Sequence, residues 1–133
     1  MQKIPIRERS LPTGFTMIEL VVVMAIVALL LTIAAPRYFN QVDKAKDTTL
    51  RQNLAVMRDA IDKFHADTNK LPASLDELVT KGYLRKIPVD PIVERSDAWE
   101  IVAPTGVSDD AGVYDIRSKA EGVGRDGVLY SEY

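Results

Sequence analysis

From Leu20 to Ala35 the chain is apolar at every position except Thr32, and few soluble folds can hide such a stretch. Taken from Phe15, the segment to Ala35 holds 21 residues. As a helix rising about 1.5 Å per residue it covers roughly 31 Å, the thickness of a bilayer's hydrocarbon core. Before it, residues 1–13 carry Lys3, Arg7 and Arg9 against Glu8, broken by Pro5 and Pro12, so they read as a short basic leader that Gly14 closes. With 133 residues in all, the chain beyond the run amounts to one small polar domain, which argues against a two-domain enzyme. Seventeen basic against nineteen acidic side chains leave a net charge of −2, which argues against a polyanion partner, so no nucleic acid is expected. The absence of Cys excludes a disulfide framework, a thiolate metal site and a Cys nucleophile.

Three readings compete for the apolar segment. A secretory signal would be cut after a small-x-small site, but Ala34-Ala35 is followed by Pro36 and preceded by bulky Ile33. A plain membrane anchor fits the length, yet Arg37, Lys44 and Lys46 beyond the run match the leader's three basic residues, so charge does not orient it. The anchor also leaves Glu19 without a purpose. A carboxylate at the centre of a lipid-facing helix costs about 2.5–3.5 kcal/mol on insertion scales, less near the interface, and normally has a partner.

The third reading takes in every feature. A basic leader, Gly14, then Phe15-Thr16-Met17-Ile18-Glu19-Leu20 and an unbroken apolar helix resembles the class III signal of type IV pilins and type II secretion pseudopilins. The resemblance implies that a prepilin peptidase cuts after Gly14 and methylates the new amino terminus at Phe15. It also implies that Glu19, matching the family's fifth mature residue, meets the amino terminus of a neighbouring subunit during assembly. A buried carboxylate and a buried ammonium on adjacent helices neutralise each other and can set an axial register.

Past the run, Pro36 removes a backbone donor and clashes with the preceding turn, so a kink or local melting is expected there. Leu50, Leu54, Met57, Ile61 and Phe64 then recur at spacings of four and three among charged residues, one apolar stripe suited to lie on a sheet of the same chain. Asn69 to Pro72 ends the helix, which is expected from about Phe15 to about Thr68, on the order of 80 Å long. Ser74-x-x-Glu77 is a capping box and Gly82 a C-terminal stop, predicting a short helix over 74–81. Tyr83 to Pro91 reads as an extended connection, and Ala98–Val102, Gly112–Arg117 and Val128–Tyr130 as three short strands of an antiparallel sheet.

The soluble part resembles the same family, and more narrowly its major type II secretion pseudopilins, through Leu71-Pro72 to Leu78, Ile87-Pro88-Val89-Asp90-Pro91, Trp99 and Gly112 to Ser118. The resemblance implies an α+β, pilin-like lollipop: a long N-terminal helix, half membrane and half amphipathic, packed on a small antiparallel sheet with a short extra helix. Its expected division is a leader (1–14), a hydrophobic helix (15–36) and a periplasmic globular domain (37–133). The closing stretch departs from the family's calcium-binding loop, because Gly122 to Gly127 sets Arg125 beside a lone Asp126. Asp115, Ser118 and Asp126 with loop carbonyls could still offer oxygen to calcium, which takes about six to eight ligands. Asp115 and Asp126 read equally as turn residues bonding local backbone. No cofactor is required, and calcium is the one metal weighed.

Other signals fail on inspection. Gly122-x-Gly124-x-x-Gly127 spells a dinucleotide fingerprint, but the six residues after it cannot supply a phosphate-binding helix. His65, the only His, has no partner constellation and reads as solvent-facing. Lys81, Arg85 and Lys86 around Tyr83 read as solvated surface, and Phe15, Tyr38, Phe39 and Phe64 as packing residues.

The expectation is therefore a non-enzymatic structural subunit, a homo-polymer once cleaved and methylated. By resemblance it sits single-pass in the bacterial inner membrane with its C-terminal domain in the periplasm, and it assembles into a pseudopilus that helps proteins cross the outer membrane. The implied partners are the prepilin peptidase, minor pseudopilins, a platform protein and an ATPase. A type IV pilin or minor pilin for adhesion, motility or DNA uptake is the alternative within the family. A membrane-anchored calcium- or ligand-binding module is the alternative outside it.

Overall fold

The computed structural model describes residues 14–106 and 112–133. The leader (1–13) and the segment 107–111 lie outside the described residues. The chain divides between Phe39 and Asn40 into two compact units, and helix α1 (Met17–Thr68) contributes to both.

In the first unit the helix begins where the polar start meets the apolar run, and every residue from Gly14 to Phe39 is exposed. The run is long and apolar enough to cross a membrane, and none of it is buried within the chain. Pro36 lies inside α1 and the helix continues on both sides of it, so the local melting expected there as one option does not occur.

The second unit is built around the other half of α1. Leu50, Leu54, Met57, Ala60, Ile61 and Phe64 are its buried residues, the expected stripe with Ala60 added. They share one core with Leu75, Leu78, Leu84, Trp99, Val113 and Ile116. After Thr68 the chain leaves the helix through Asn69, whose φ of 55° is the left-handed conformation that ends helices, with its N–H on the His65 carbonyl at 2.8 Å.

Helix α2 (Leu75–Thr80) is one residue shorter at each end than its predicted span. Ser74 is the cap and accepts from the Glu77 N–H at 3.3 Å, while the Glu77 carboxylate reaches back to the Ala73 N–H at 2.7 Å. Gly82, at φ 83°, turns the chain so that the Tyr83 N–H bonds the Leu78 carbonyl at 2.8 Å.

Among the described residues the sheet has two strands, not three. Strand β1 (Trp99–Val102) pairs antiparallel with β2 (Asp115–Ser118), setting Trp99 opposite Ser118 and Ile101 opposite Ile116. The predicted third strand, Val128–Tyr130, folds back on its own loop instead. The Gly124 N–H bonds the Val128 carbonyl at 2.8 Å, the Tyr130 N–H bonds the Gly122 carbonyl at 3.2 Å, and Tyr130–Glu132 forms a 3-10 helix. Its hydrogen bonds are spent across a tight turn, which leaves none for the sheet. The approach to β2 is pinned at Gly112, where φ is 98° and an added Cβ would stand 2.8 Å from the Leu71 Cβ. The long helix, short helix and small antiparallel sheet together are the α+β, pilin-like architecture that the residues predict.

Candidate functional site

Two places carry the residues singled out by sequence. The first is the start of α1. Gly14 is exposed with open space around it, and Phe15 is 93% exposed. Thr16 and Glu19 close a reciprocal cap. The Thr16 N–H and hydroxyl donate to Glu19 Oε2 at 2.8 and 3.0 Å, and the Thr16 hydroxyl accepts from the Glu19 N–H at 3.2 Å. The Glu19 carboxylate is thus satisfied within the single chain while remaining exposed, and it anchors the first turn of an apolar helix. The Thr16 cap is a contact not read from the sequence, although a threonine three residues before a glutamate is itself a capping-box signature. Phe15, Ile18, Glu19, Val22 and Val23 line a shallow cleft of about 350 Å³ beside this cap.

The second place is the C-terminal segment against the middle of α1, and it holds or adjoins the three residues weighed for calcium, Asp115, Ser118 and Asp126. Asp115 Oδ1 accepts from Arg58 Nε at 2.7 Å and from the adjacent Ile116 N–H. Ser118 is fully buried and donates to Asp90 Oδ2 while accepting from the Ala120 N–H at 3.0 Å. Asp126 binds Arg51 through Oδ2, and through Oδ1 accepts from the Tyr133 hydroxyl at 2.9 Å and the Val128 N–H at 3.2 Å. Each of the three residues is thus engaged by other groups of the protein. Among the described residues no group of three or more His, Asp or Glu side chains is placed to hold a metal. The turn reading of Asp126 holds in part, since one of its bonds is to nearby backbone, but its main partners are the side chains of Arg51 and Tyr133.

Asp90 is the other residue whose role was not read from the sequence. It is fully buried, yet its carboxylate is satisfied by Ser118 and by the Ile92 N–H at 2.8 Å, and its own N–H bonds the Arg95 carbonyl at 2.9 Å. Together with the Trp99 indole, which donates to the Pro88 carbonyl at 2.9 Å, it ties the 88–95 loop to both strands.

Electrostatics at the C-terminal cluster follow from these contacts. The Tyr133 hydroxyl, then Arg51, hold Asp126 below the usual carboxylate range. Desolvation, with Asp126 and Asp47 as hydrogen-bond acceptors, pushes the Tyr133 phenol up to about 12. Tyr133 and Asp126 push the Arg51 guanidinium upward. His65, Lys81, Arg85 and Lys86 are exposed, in keeping with the surface reading. Tyr83 donates to Asp67 at 2.8 Å and stacks edge-on against Phe64.

The described residues therefore offer a capped, outward-facing apolar helix and a self-paired polar cluster. A sequence profile described as the prokaryotic N-terminal methylation motif matches residues 12–35. The chain is similar to the type II secretion system core protein G of Xanthomonas campestris pv. campestris, with 28% identity over 124 residues, 90% of this chain and 82% of that one. It is 31% identical over 100 residues to the protein of the same name from Pseudomonas aeruginosa, covering 63% of this chain and 70% of that one. It is also similar to the competence protein ComGC of Halalkalibacterium halodurans, 28% identical over 71 residues, 53% of this chain and 70% of that one. No solved structure matches the chain.

Proposed function

Because the chain belongs to the type II secretion system core protein G family, we propose that it is the repeating structural subunit of that system's filament, a pseudopilus, and that its chemistry is done to it by a peptidase. One observation carries this reading: the apolar half of α1 has no burial inside the chain, so its partners must be lipid before assembly and other subunits after it. The exposed Gly14 supports cleavage between Gly14 and Phe15 followed by methylation of Phe15.

In the filament core the Glu19 carboxylate would exchange its cap for, or share it with, the amino terminus of an adjacent subunit. A charge in that dry environment requires an opposite charge beside it. Pro36 is the position at which α1 would bend as it leaves the packed core. On this reading residues 1–14 are the removed leader, 15–36 the membrane and core helix, and 37–133 the periplasmic domain. The subunit waits in the inner membrane, and the platform protein, ATPase and minor pseudopilins act with it.

The test is a strain lacking this chain. Secreted enzymes should accumulate in its periplasm, and export should return when the wild-type chain is supplied. Normal export together with lost DNA uptake or twitching would favour the pilin reading instead, for which the likeness to a competence protein is the supporting observation.

A further inference from the structure

The C-terminal segment from Gly122 to Tyr133 closes on itself by backbone bonds, Tyr130 and Tyr133 pack against the core, and a polar cluster joins the segment to α1. Asp47 of the helix and Asp126 of the segment each place Oδ1 2.9 Å from the Tyr133 hydroxyl and compete for its one proton, so two carboxylates face each other across one oxygen. Two such charges repel, and a cation has to stand between them. Arg51 is that cation. It lies one helical turn after Asp47, with Nε 3.7 Å from Asp47 Oδ2, Nη2 paired with Asp126 Oδ2, and Cζ 4.1 Å from the centroid of the Tyr133 ring. The guanidinium thus offsets one of the two negative charges, pairs with Asp126 and stacks on the ring between the carboxylates.

Two further features hold the ring in that position. Gly124 leaves room for the hydroxyl, since a Cβ there would stand 1.6 Å from Tyr133 Oη. Arg58 Nη2 binds the Tyr133 main-chain oxygen at 2.6 Å and the Ile116 carbonyl at 3.0 Å, tying the end of the segment to β2.

We propose that Arg51 is a built-in cation that clasps the C-terminal segment to α1, so that this closure needs no divalent ion. An arginine side chain is charged at every physiological pH and cannot dissociate, whereas a bound ion comes and goes with its concentration. The clasp belongs to the single chain and stands whether or not subunits polymerise.

Hydrogen exchange read by mass spectrometry on the full chain in detergent micelles tests it, comparing excess calcium with a chelator. In the wild type, exchange in the peptide covering 122–133 should be the same in both. Arg51→Gln should speed it roughly three- to tenfold in both conditions, the scale of a networked surface ion pair plus ring stacking, while the β1 and β2 peptides hold their rates. Arg51→Lys, which keeps the charge but loses the fork and the stack, should fall between the two. Slower exchange of the wild-type segment in calcium, or wild-type exchange in Arg51→Gln, overturns the proposal. Should Arg51→Gln loosen the whole domain, Asp126→Asn carries the test, because it removes the carboxylate charge that Arg51 pairs with and leaves the ring under the guanidinium. A smaller acceleration confined to 122–133 supports the clasp, and unchanged exchange in that variant overturns it.

Discussion

The two halves of α1 are one helix by backbone and two different objects by side chain. Leu29, in the first half, is 65% exposed in an apolar run with no burial inside the chain, whereas Leu50 and Met57, in the second, are fully buried. Both halves must remove apolar area from water, and the hydrophobic effect does not care who supplies the cover. The second half finds cover in its own chain because its apolar residues form one stripe with a charged face opposite, which a sheet can lie against. The first half is apolar all round, and no small sheet can cover every side of a helix. Such a segment calls for a medium or a bundle. The difference separates what folds the domain from what assembles it, and substitutions on either side of residue 40 should separate the same way.

The largest effect on folding is expected in the second half. Met57→Ala should destabilise the domain by about 2–5 kcal/mol, because it leaves a cavity in a closed core. Leu29→Ala should leave folding within about 0.5 kcal/mol, as at an uncovered surface position. Denaturant titration of the full chain in detergent, followed by fluorescence of the buried Trp99, reads both. Equal losses would show that the two halves share one core and erase the contrast.

A smaller effect is expected at the entry to β2. Gly112→Ala forces a side chain into a left-handed conformation and against Leu71 and Pro72. The backbone strain alone costs about 1–3 kcal/mol. The same titration should show that loss, while membrane insertion, which depends on the first half, stays as it is. An unchanged midpoint would mean that the loop before β2 moves away without cost.

The smallest effect is the pH response of the C-terminal cluster. Asp126 titrates below the usual carboxylate range in the folded chain, so its contribution is present at neutral pH and fades as pH falls from the ordinary carboxylate value through the lowered one. Tyr133 behaves oppositely. Its phenol is raised to about 12, so its contribution is intact below the ordinary tyrosine value near 10 and is lost as pH climbs from there to about 12. Exchange in the 122–133 peptide, corrected for the intrinsic rate at each pH, should rise at both extremes, and Tyr133→Phe should flatten the alkaline arm. A profile that is flat on both sides would show that the cluster does not hold the segment.

What was legible in the sequence was whatever is local or periodic. The stripe from Leu50 to Phe64 follows from helical spacing, and the ends of α2 from Ser74, Glu77 and Gly82, because caps are made by residues three or four apart. The third strand failed because Val128–Tyr130 has strand composition, and composition does not say which partner wins. Here residues 122–124 lie close across a turn and take the bonds first. The protein partners of Ser118 and Asp126 could not be read from the sequence, because an oxygen-bearing side chain looks the same whether it serves an ion, Asp90 at 28 residues' distance or Arg51 at 75. Thr16 was different. Its cap with Glu19 is as local as that of Ser74, but beside so long an apolar run a single threonine stands out less than the carboxylate it serves.

The central claim is that the first half of α1 is an assembly element whose Glu19 matters only once subunits meet. Glu19→Val in the full chain, expressed with active prepilin peptidase, tests it by pairing intact mass with filament yield. A valine is at ease in lipid, so the variant should insert and be cut after Gly14, leaving a mature chain that begins at Phe15. In a filament the neighbour's amino terminus would lose its counter-charge, and stranding one member of a buried ion pair costs about 3–5 kcal/mol at every repeat. The account predicts processed, membrane-resident monomers with few or no filaments and with secretion lost in parallel. Normal filaments and normal secretion from Glu19→Val would contradict it.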